Sequence, residues 1–260
     1  MQPYLDDLPA HSAKRQDHPA HLREIFLPCR HYRIWLNLHK CVFCVESSRL
    51  LEFIISREGI RLDPLKVEAI LNLPPPASLQ QLQSLQGKAN FLRRFIPNYA
   101  EVAKGFTQLL KRDTPFRWDA TAQESFNHLK ALLVSDPLLR PPNYHHDYTL
   151  YLAVANTTIG MVLVQDDDDG TEHVIYYLNR NLLDTKSRYA HIKKLALAAV
   201  CAVQHFRHYI LLCTTKVVSD CNLMMYILSC QLLGGKYSKW IVILQEFDLE
   251  FTTSKSKKSL

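Results

Sequence analysis

Four clusters in this 260-residue sequence have residue types and spacings that can do chemistry. Asp166-Asp-Asp-Asp169, just before Gly170, offers carboxylates for a divalent cation, but its spacing is not that of a helix–loop–helix calcium loop. Lying between two apolar runs, it reads better as a solvated hairpin turn. Cys41-Val-Phe-Cys44 is a CxxC with Cys29, His31 and His39 close in sequence, yet no second pair at knuckle spacing completes a structural zinc site. Arg93-Arg94, preceded by Lys88 and interleaved with Phe91, Phe95 and Tyr99, is a basic–aromatic cluster. It suits the phosphates of a nucleic-acid duplex, or a helix whose aromatics pack while the arginines face solvent, and the two readings are compatible. Tyr4-Leu-Asp-Asp7 is an apolar–acidic knot that, taken alone, is a polar turn.

Composition narrows the classes. Apolar residues make up 47% and charged residues 22%, which excludes wholesale disorder. Seven Gly against 13 Pro argues against glycine-rich phosphate loops. Lys and Arg exceed Asp and Glu, 31 to 25, a +6 balance compatible with a polyanionic partner. No apolar run approaches the roughly 18 residues of a membrane span. The first residues lack a secretory pattern, and seven Cys is an odd number. The expectation is an intracellular protein of cytoplasm or nucleus with free thiols, not secreted and not in a membrane.

Elements must hold these clusters in place. Helical spacing of Leu22, Ile25, Phe26 and Leu27 predicts a helix from His18 toward Trp35, with Pro28 weakening its last part. Lys40–Val45 and Leu50–Ser56 read as strands. Asp63-Pro64 opens a helix that Leu73-Pro-Pro-Pro76 stops, and Ser78 caps the next, which carries Leu79, Leu82 and Leu85. Helices over Ala100–Lys111 and Thr121–Val134 follow, the latter capped by Asp119 or Thr121. Pro137, Pro141 and Pro142 mark a linker. Beyond it come strands at Tyr148–Val154, Ile159–Gln165 and His173–Leu178, a long helix Ser187–Ile210, a strand Lys216–Ser219, helices at Leu223–Leu228 and Tyr237–Glu246, and a strand Asp248–Thr253. This βββαβαβ order fits a five-stranded mixed sheet flanked by helices, the layout of the ribonuclease-H-like fold.

Collinear motifs make the sequence similar to a known family. They are Tyr4-Leu-Asp-Asp7, His18-Pro-Ala-His-Leu22, Lys40-Cys41, Ser56-Arg-Glu-Gly-Ile60, Asp63-Pro64 with Lys66–Ile70, Gly87–Pro97, Tyr151–Gly160, Val174–Tyr177, Arg207-His-Tyr209, Val218-Ser-Asp220 and Trp240–Asp248. Together they resemble the pol polyprotein of gypsy-type long-terminal-repeat retrotransposons, plant elements especially. The resemblance implies an α+β and α/β chain in three parts. Residues 1–70 correspond to the end of a reverse-transcriptase palm, 71–142 to thumb or connection helices, and 143–260 to a C-terminally truncated RNase H-like domain. It also implies RNA-directed DNA polymerase and RNase H activity, Mg²⁺ as cofactor, and an RNA–DNA hybrid or template–primer duplex as partner.

The site residues implied by that resemblance are mostly missing. Asp6 and Asp7 match two palm aspartates, but the motif starts at residue 4, so the third and the nucleotide pocket lie outside the sequence. In the RNase H-like part, the first-strand aspartate falls at Ala153, and the helix has no Glu near Lys193–Leu195. Asp220 matches the third carboxylate, and the fourth lies beyond Leu260. One carboxylate of four cannot hold a metal pair. The resemblance therefore implies family activities lost in this chain; the alternative is a catalytically inert nucleic-acid-binding or scaffold relic. Ala153 and Asp220 are expected as neighbours at the sheet centre.

Overall fold

A computed structural model describes residues 8–12, 14–111, 114–135, 137–229 and 235–254. The chain divides into two compact units, Met1–Glu58 and Gly59–Leu260. In the first, a 3₁₀ turn leads into α1 (His18–His31), with Pro19 in the first turn, where its missing N–H costs nothing. The helix runs through Pro28 and stops at His31, short of the Trp35 expected. Phe26 meets Phe43 edge-on with centroids 6.2 Å apart.

The hairpin of this unit differs from the expected one. Lys40–Val45 is irregular, and the strands are β1 (Ser47–Leu50) and β2 (Phe53–Ser56), paired antiparallel from Ser47↔Ser56 to Leu50↔Phe53. The turn is Leu51-Glu52, both with positive φ (49° and 70°), the tight geometry normally signalled by Asn-Gly. With neither residue present, the sequence gives no turn signal there.

The second unit opens with β3 (Ile60–Leu62), not foreseen from sequence. Ile60 and Leu139 exchange backbone hydrogen bonds of 2.7 and 3.1 Å. Gly59, at φ +148°, lies against the Leu139 carbonyl where a Cβ would clash, which explains the glycine. Next is α2 (Pro64–Leu71), its N-cap Asp63 accepting from the Leu65 N–H at 3.1 Å. Then α3 (Leu79–Leu92) has Ser78 accepting from the Gln81 N–H. The single helix expected over Ala100–Lys111 is instead α4 (Tyr99–Val102), α5 (Lys104–Thr107) and a 3₁₀ turn. At Gly105 the backbone passes so close to Thr121 and Ser125 that a Cβ would clash. Those residues belong to α6 (Ala120–Val134), capped by Asp119. Leu82, Leu85, Leu92, Phe95, Phe106, Phe126 and Leu129 bury completely among these helices.

The chain then enters the sheet through β4 (Tyr148–Val154), β5 (Thr158–Asp166) and β6 (Glu172–Asn181). The expected long helix is broken into α7 (Asp184–Ser187), α8 (His191–His205) and α9 (Arg207–Ile210). After it come β7 (Thr215–Ser219), α10 (Leu223–Ser229), α11 (Lys236–Gln245) and β8 (Leu249–Thr253). Strand order is β6-β5-β4-β7-β8. Antiparallel pairs join the first three strands and parallel pairs join β4–β7 and β7–β8, as the order of elements predicts. Leu150, Leu163 and Val217 face α8, whose Leu195, Ala199, Val203 and the following Phe206 fill the layer between. The boundary expected between residues 142 and 143 lies inside the second unit, where the Arg140 N–H donates to the Val174 carbonyl at 3.1 Å.

Phe206 is fully buried, so Phe206→Ala should lower the unfolding free energy by about 3–5 kcal/mol, whereas exposed Leu212→Ala should change it by less than about 0.5 kcal/mol. Urea titrations followed by circular dichroism measure both, and equal shifts would place the core elsewhere.

Candidate functional site at the ends of the central strands

The central strands run in the same direction, so their C-terminal ends meet on one side. Their register pairs Leu150 with Val217 and Tyr151 with Val218. Continued by two residues, it sets Ala153 level with Asp220. The methyl group of Ala153 has no ligand atom to offer.

A cation occupies this end already. Lys194, in the first turns of α8, is only 7% exposed, and its Nζ donates to the carbonyls of Asn156 (2.8 Å) and Ala155 (3.4 Å), in the turn that follows β4. Burying an ammonium is costly unless it is hydrogen-bonded, and these carbonyls supply the acceptors. Its neighbours are no better as metal ligands. Leu195 is fully buried in the core, and Lys193 lies over the rings of Tyr189 and Tyr237, 4.1 and 5.5 Å from their centroids. The stretch expected to carry a Glu therefore contributes a cation, a core leucine and a ring contact. A magnesium pair does not fit this donor set: Asp220 is alone among the positions expected to supply carboxylates, and an ammonium sits beside them.

Asp220 has a partner that sequence reasoning missed. His191 Nε2, on the first residue of α8, lies 2.8 and 3.0 Å from the two Asp220 oxygens, with both side chains about half exposed. Cys221 follows, held in a turn by the Ser219 hydroxyl donating to its carbonyl at 2.9 Å. Burial, then the Asp220 carboxylate, push the Cys221 thiol up. Nothing local in the sequence couples His191 to Asp220, 29 residues away; the crossover through α8 does.

The remaining candidates separate. Tyr4, Asp6 and Asp7 lie outside the described residues. Lys88 is exposed on α3. Arg93 is drawn into packing, its guanidinium donating to the Asn179 carbonyl at 2.6 Å and to Asn90 Oδ1 at 3.3 Å. Arg94 is half-buried over the Phe95 ring, its carbonyl accepts from the Tyr177 N–H, and burial pulls its pKa down. The two arginines thus brace α3 against β6. Beside them a cleft of about 410 Å³ is lined by Arg93, Tyr176, Arg180 and His205. Burial first, then Arg93, hold the His205 imidazole below its usual range.

Asp166–Asp169 forms the β5–β6 turn. Asp167 Oδ1 accepts from the N–H groups of Thr171 (2.9 Å) and Asp169 (3.1 Å), and Gly170 takes φ +75°. The Thr171 hydrogen bond holds the Asp167 carboxyl below the usual carboxylate range, and those acceptors serve the turn. Of the CxxC, Cys41 is half-buried and Cys44 exposed, and among the described residues neither joins a metal-competent cluster.

Residues 118–217 match the RNase H-like domain found in reverse transcriptase. The chain is 31% identical over 257 residues to the retrovirus-related Pol polyprotein from transposon 297 of Drosophila melanogaster, covering 98% of this chain and 24% of that protein. It is 25% identical over 251 residues to the transposon Tf2-3 polyprotein of Schizosaccharomyces pombe, covering 95% and 19%. The chain thus spans about a quarter or less of the curated relatives it matches. In fold it is similar to the foamy viral protease-reverse transcriptase dRH in complex with ds DNA (TM-score 0.82, 19% identity, 96% of this chain and 45% of that one). A second foamy viral protease-reverse transcriptase, in complex with RNA/DNA hybrid, gives TM-score 0.81 at 19% identity, covering 96% and 35%.

Two expectations follow from the site. Lys194→Ala strips two carbonyls of their donor and should cost about 1–3 kcal/mol, with Lys194→Glu worse because it sets a carboxylate against them; thermal melts rank the variants. His205, whose folded pKa is depressed, favours folding fully above its unfolded pKa near 6.5 and loses that contribution as pH falls through the folded value. His205→Gln should therefore flatten the decline in stability below pH 6.5, read from urea midpoints across pH.

Proposed function

We propose that this chain, whose RNase H-like domain is of the retrotransposon Pol type, grips a nucleic-acid duplex without cutting it. The observation that carries the reading is the Lys194 ammonium held by the Ala155 and Asn156 carbonyls, beside an alanine level with Asp220. A fixed cation stands where the resemblance calls for carboxylates and Mg²⁺, and among the described residues no remaining donor set holds two metals.

The finer reading is gypsy-type, with residues 1–70 the end of a reverse-transcriptase palm and 71–142 a thumb or connection. It is supported by the collinear motifs and by relatives whose similarity extends over 98% of the chain, beyond the matched domain. The partner proposed is a template–primer duplex or RNA–DNA hybrid. Lys88 and Arg180, both exposed, are the proposed phosphate contacts, and Arg93 shapes the cleft wall rather than reaching out. A reducing compartment, cytoplasm or nucleus, suits the free thiols of the six described cysteines. Among the described residues no helix is long and apolar enough to cross a membrane.

In Mg²⁺ or Mn²⁺ the purified chain should neither extend a primer nor cleave an RNA–DNA hybrid. Hybrid cleavage that survives Asp220→Asn would refute the account of the lost site. Duplex binding should weaken about tenfold between 50 and 200 mM salt, as expected for some two phosphate contacts. Lys88→Ala/Arg180→Ala should reduce both the affinity and that slope in fluorescence anisotropy titrations; binding indifferent to salt would leave a scaffold role alone.

A further inference from the structure

His191, Asp220 and Cys221 bring an imidazole nitrogen, a carboxylate oxygen and a thiol sulfur within 4.8 Å of one another. We propose that these three side chains bind a single zinc ion, leaving its fourth position to water. Tetrahedral zinc with bonds of about 2.0–2.3 Å separates its ligand atoms by about 3.3–3.7 Å. Movements of about an ångström therefore convert this cluster into a coordination shell. His191 and Asp220, now 2.8 Å apart, open slightly as the ion enters between them, and Cys221 closes.

The donor set selects the metal. Sulfur and nitrogen ligands favour zinc over magnesium, which demands oxygen donors and retains its waters. On binding, the Cys221 sulfur gives its proton to solvent and bonds to zinc as thiolate. The two anionic ligands then neutralise the ion. Half-exposed His191 and Asp220 leave a path for entry and room for the water ligand. His191 and Asp220 lie outside the hydrophobic core, Cys221 packs against its edge, and the Ser219 hydroxyl already holds the Cys221 carbonyl in their turn.

This site differs from the metal pair that the fold family implies: of its ligands only Asp220 is shared, and the other two come from positions that family does not use for metal. Lys194 is directed instead to the Ala155 and Asn156 carbonyls, so the ammonium already has acceptors other than the Asp220 carboxylate.

Metal titration of the full chain tests the proposal. One equivalent of Zn²⁺ should bind, and Co²⁺ in its place should show thiolate-to-cobalt charge transfer in the near ultraviolet. Cys221→Ser should abolish that band and weaken zinc binding about tenfold or more, the least expected when a ligand rather than an outer-shell partner is lost. His191→Gln should weaken binding equally but keep the band, and Cys41→Ser/Cys44→Ser should change neither. No bound zinc, or a band that survives Cys221→Ser and vanishes in the Cys41/Cys44 variant, would overturn the assignment. Should Cys221→Ser fail to fold, iodoacetamide labelling of the unaltered chain decides: zinc should protect Cys221, and equal labelling with and without zinc would overturn the site. These readouts do not depend on duplex binding or hybrid cleavage, so the zinc site and the Pol-type reading fail separately.

Discussion

Parallel pairing of β4 with β7 is the constraint on which the second unit depends. To reach it, the chain must leave the β6 edge, cross over β5 and β4, and return in the same direction. Such a connection cannot be a tight turn and must cover the sheet as it goes. α8 is that cover, and this explains why nine of its residues are buried. Leu150 and Val217, paired at the centre and wholly buried, anchor one side of the layer; Leu195, Ala199 and Val203 supply the other. Because both strands end on the same side, the turn after β4, the turn after β7 and the start of α8 converge there.

That convergence makes the site, and the charges within it decide its chemistry. Two divalent ions need several carboxylates around them, since repulsion between the ions must be offset locally. Here the same space holds one carboxylate, an ammonium satisfied by carbonyls, and a leucine that is part of the core. The start of α8 is built around a fixed positive charge, the Lys194 ammonium on the Ala155 and Asn156 carbonyls. The imidazole and thiol beside Asp220 give that carboxylate different company, with softer donors.

Polar clamps join the helical part of the second unit to its sheet. Buried Gln165 donates to the carbonyls of Asn143 and His146 and accepts from the Asn143 N–H, fixing the approach to β4. Thr158 donates to Glu101 at 2.7 Å, and Arg93 to Asn179. Hydrogen bonds of this kind stabilise modestly when formed and cost more when one partner is removed and the other is left buried. They explain why α3 and α4 pack with the sheet although proline-rich segments separate them in sequence.

Much of this was legible in the sequence. Local chemistry fixed the caps at Asp63, Ser78 and Asp119, because a side-chain oxygen two or three residues from an unpaired N–H needs no distant partner. β-rich segments predicted β4 to β8, and their order predicted the mixed sheet; the placing of Ala153 near Asp220 came from the family resemblance. Where elements break, the sequence was silent. The Leu51-Glu52 turn lacks the usual residues, and the helix expected from Ser187 to Ile210 is interrupted. The meanings of His191, Lys194 and Arg93 were likewise hidden. Each depends on a group 29 to 86 residues away, brought within hydrogen-bonding distance by the crossover or by helix packing. Residue type and spacing specify what a side chain can bond; only the tertiary fold, by setting which distant donor and acceptor meet, decides what it does bond.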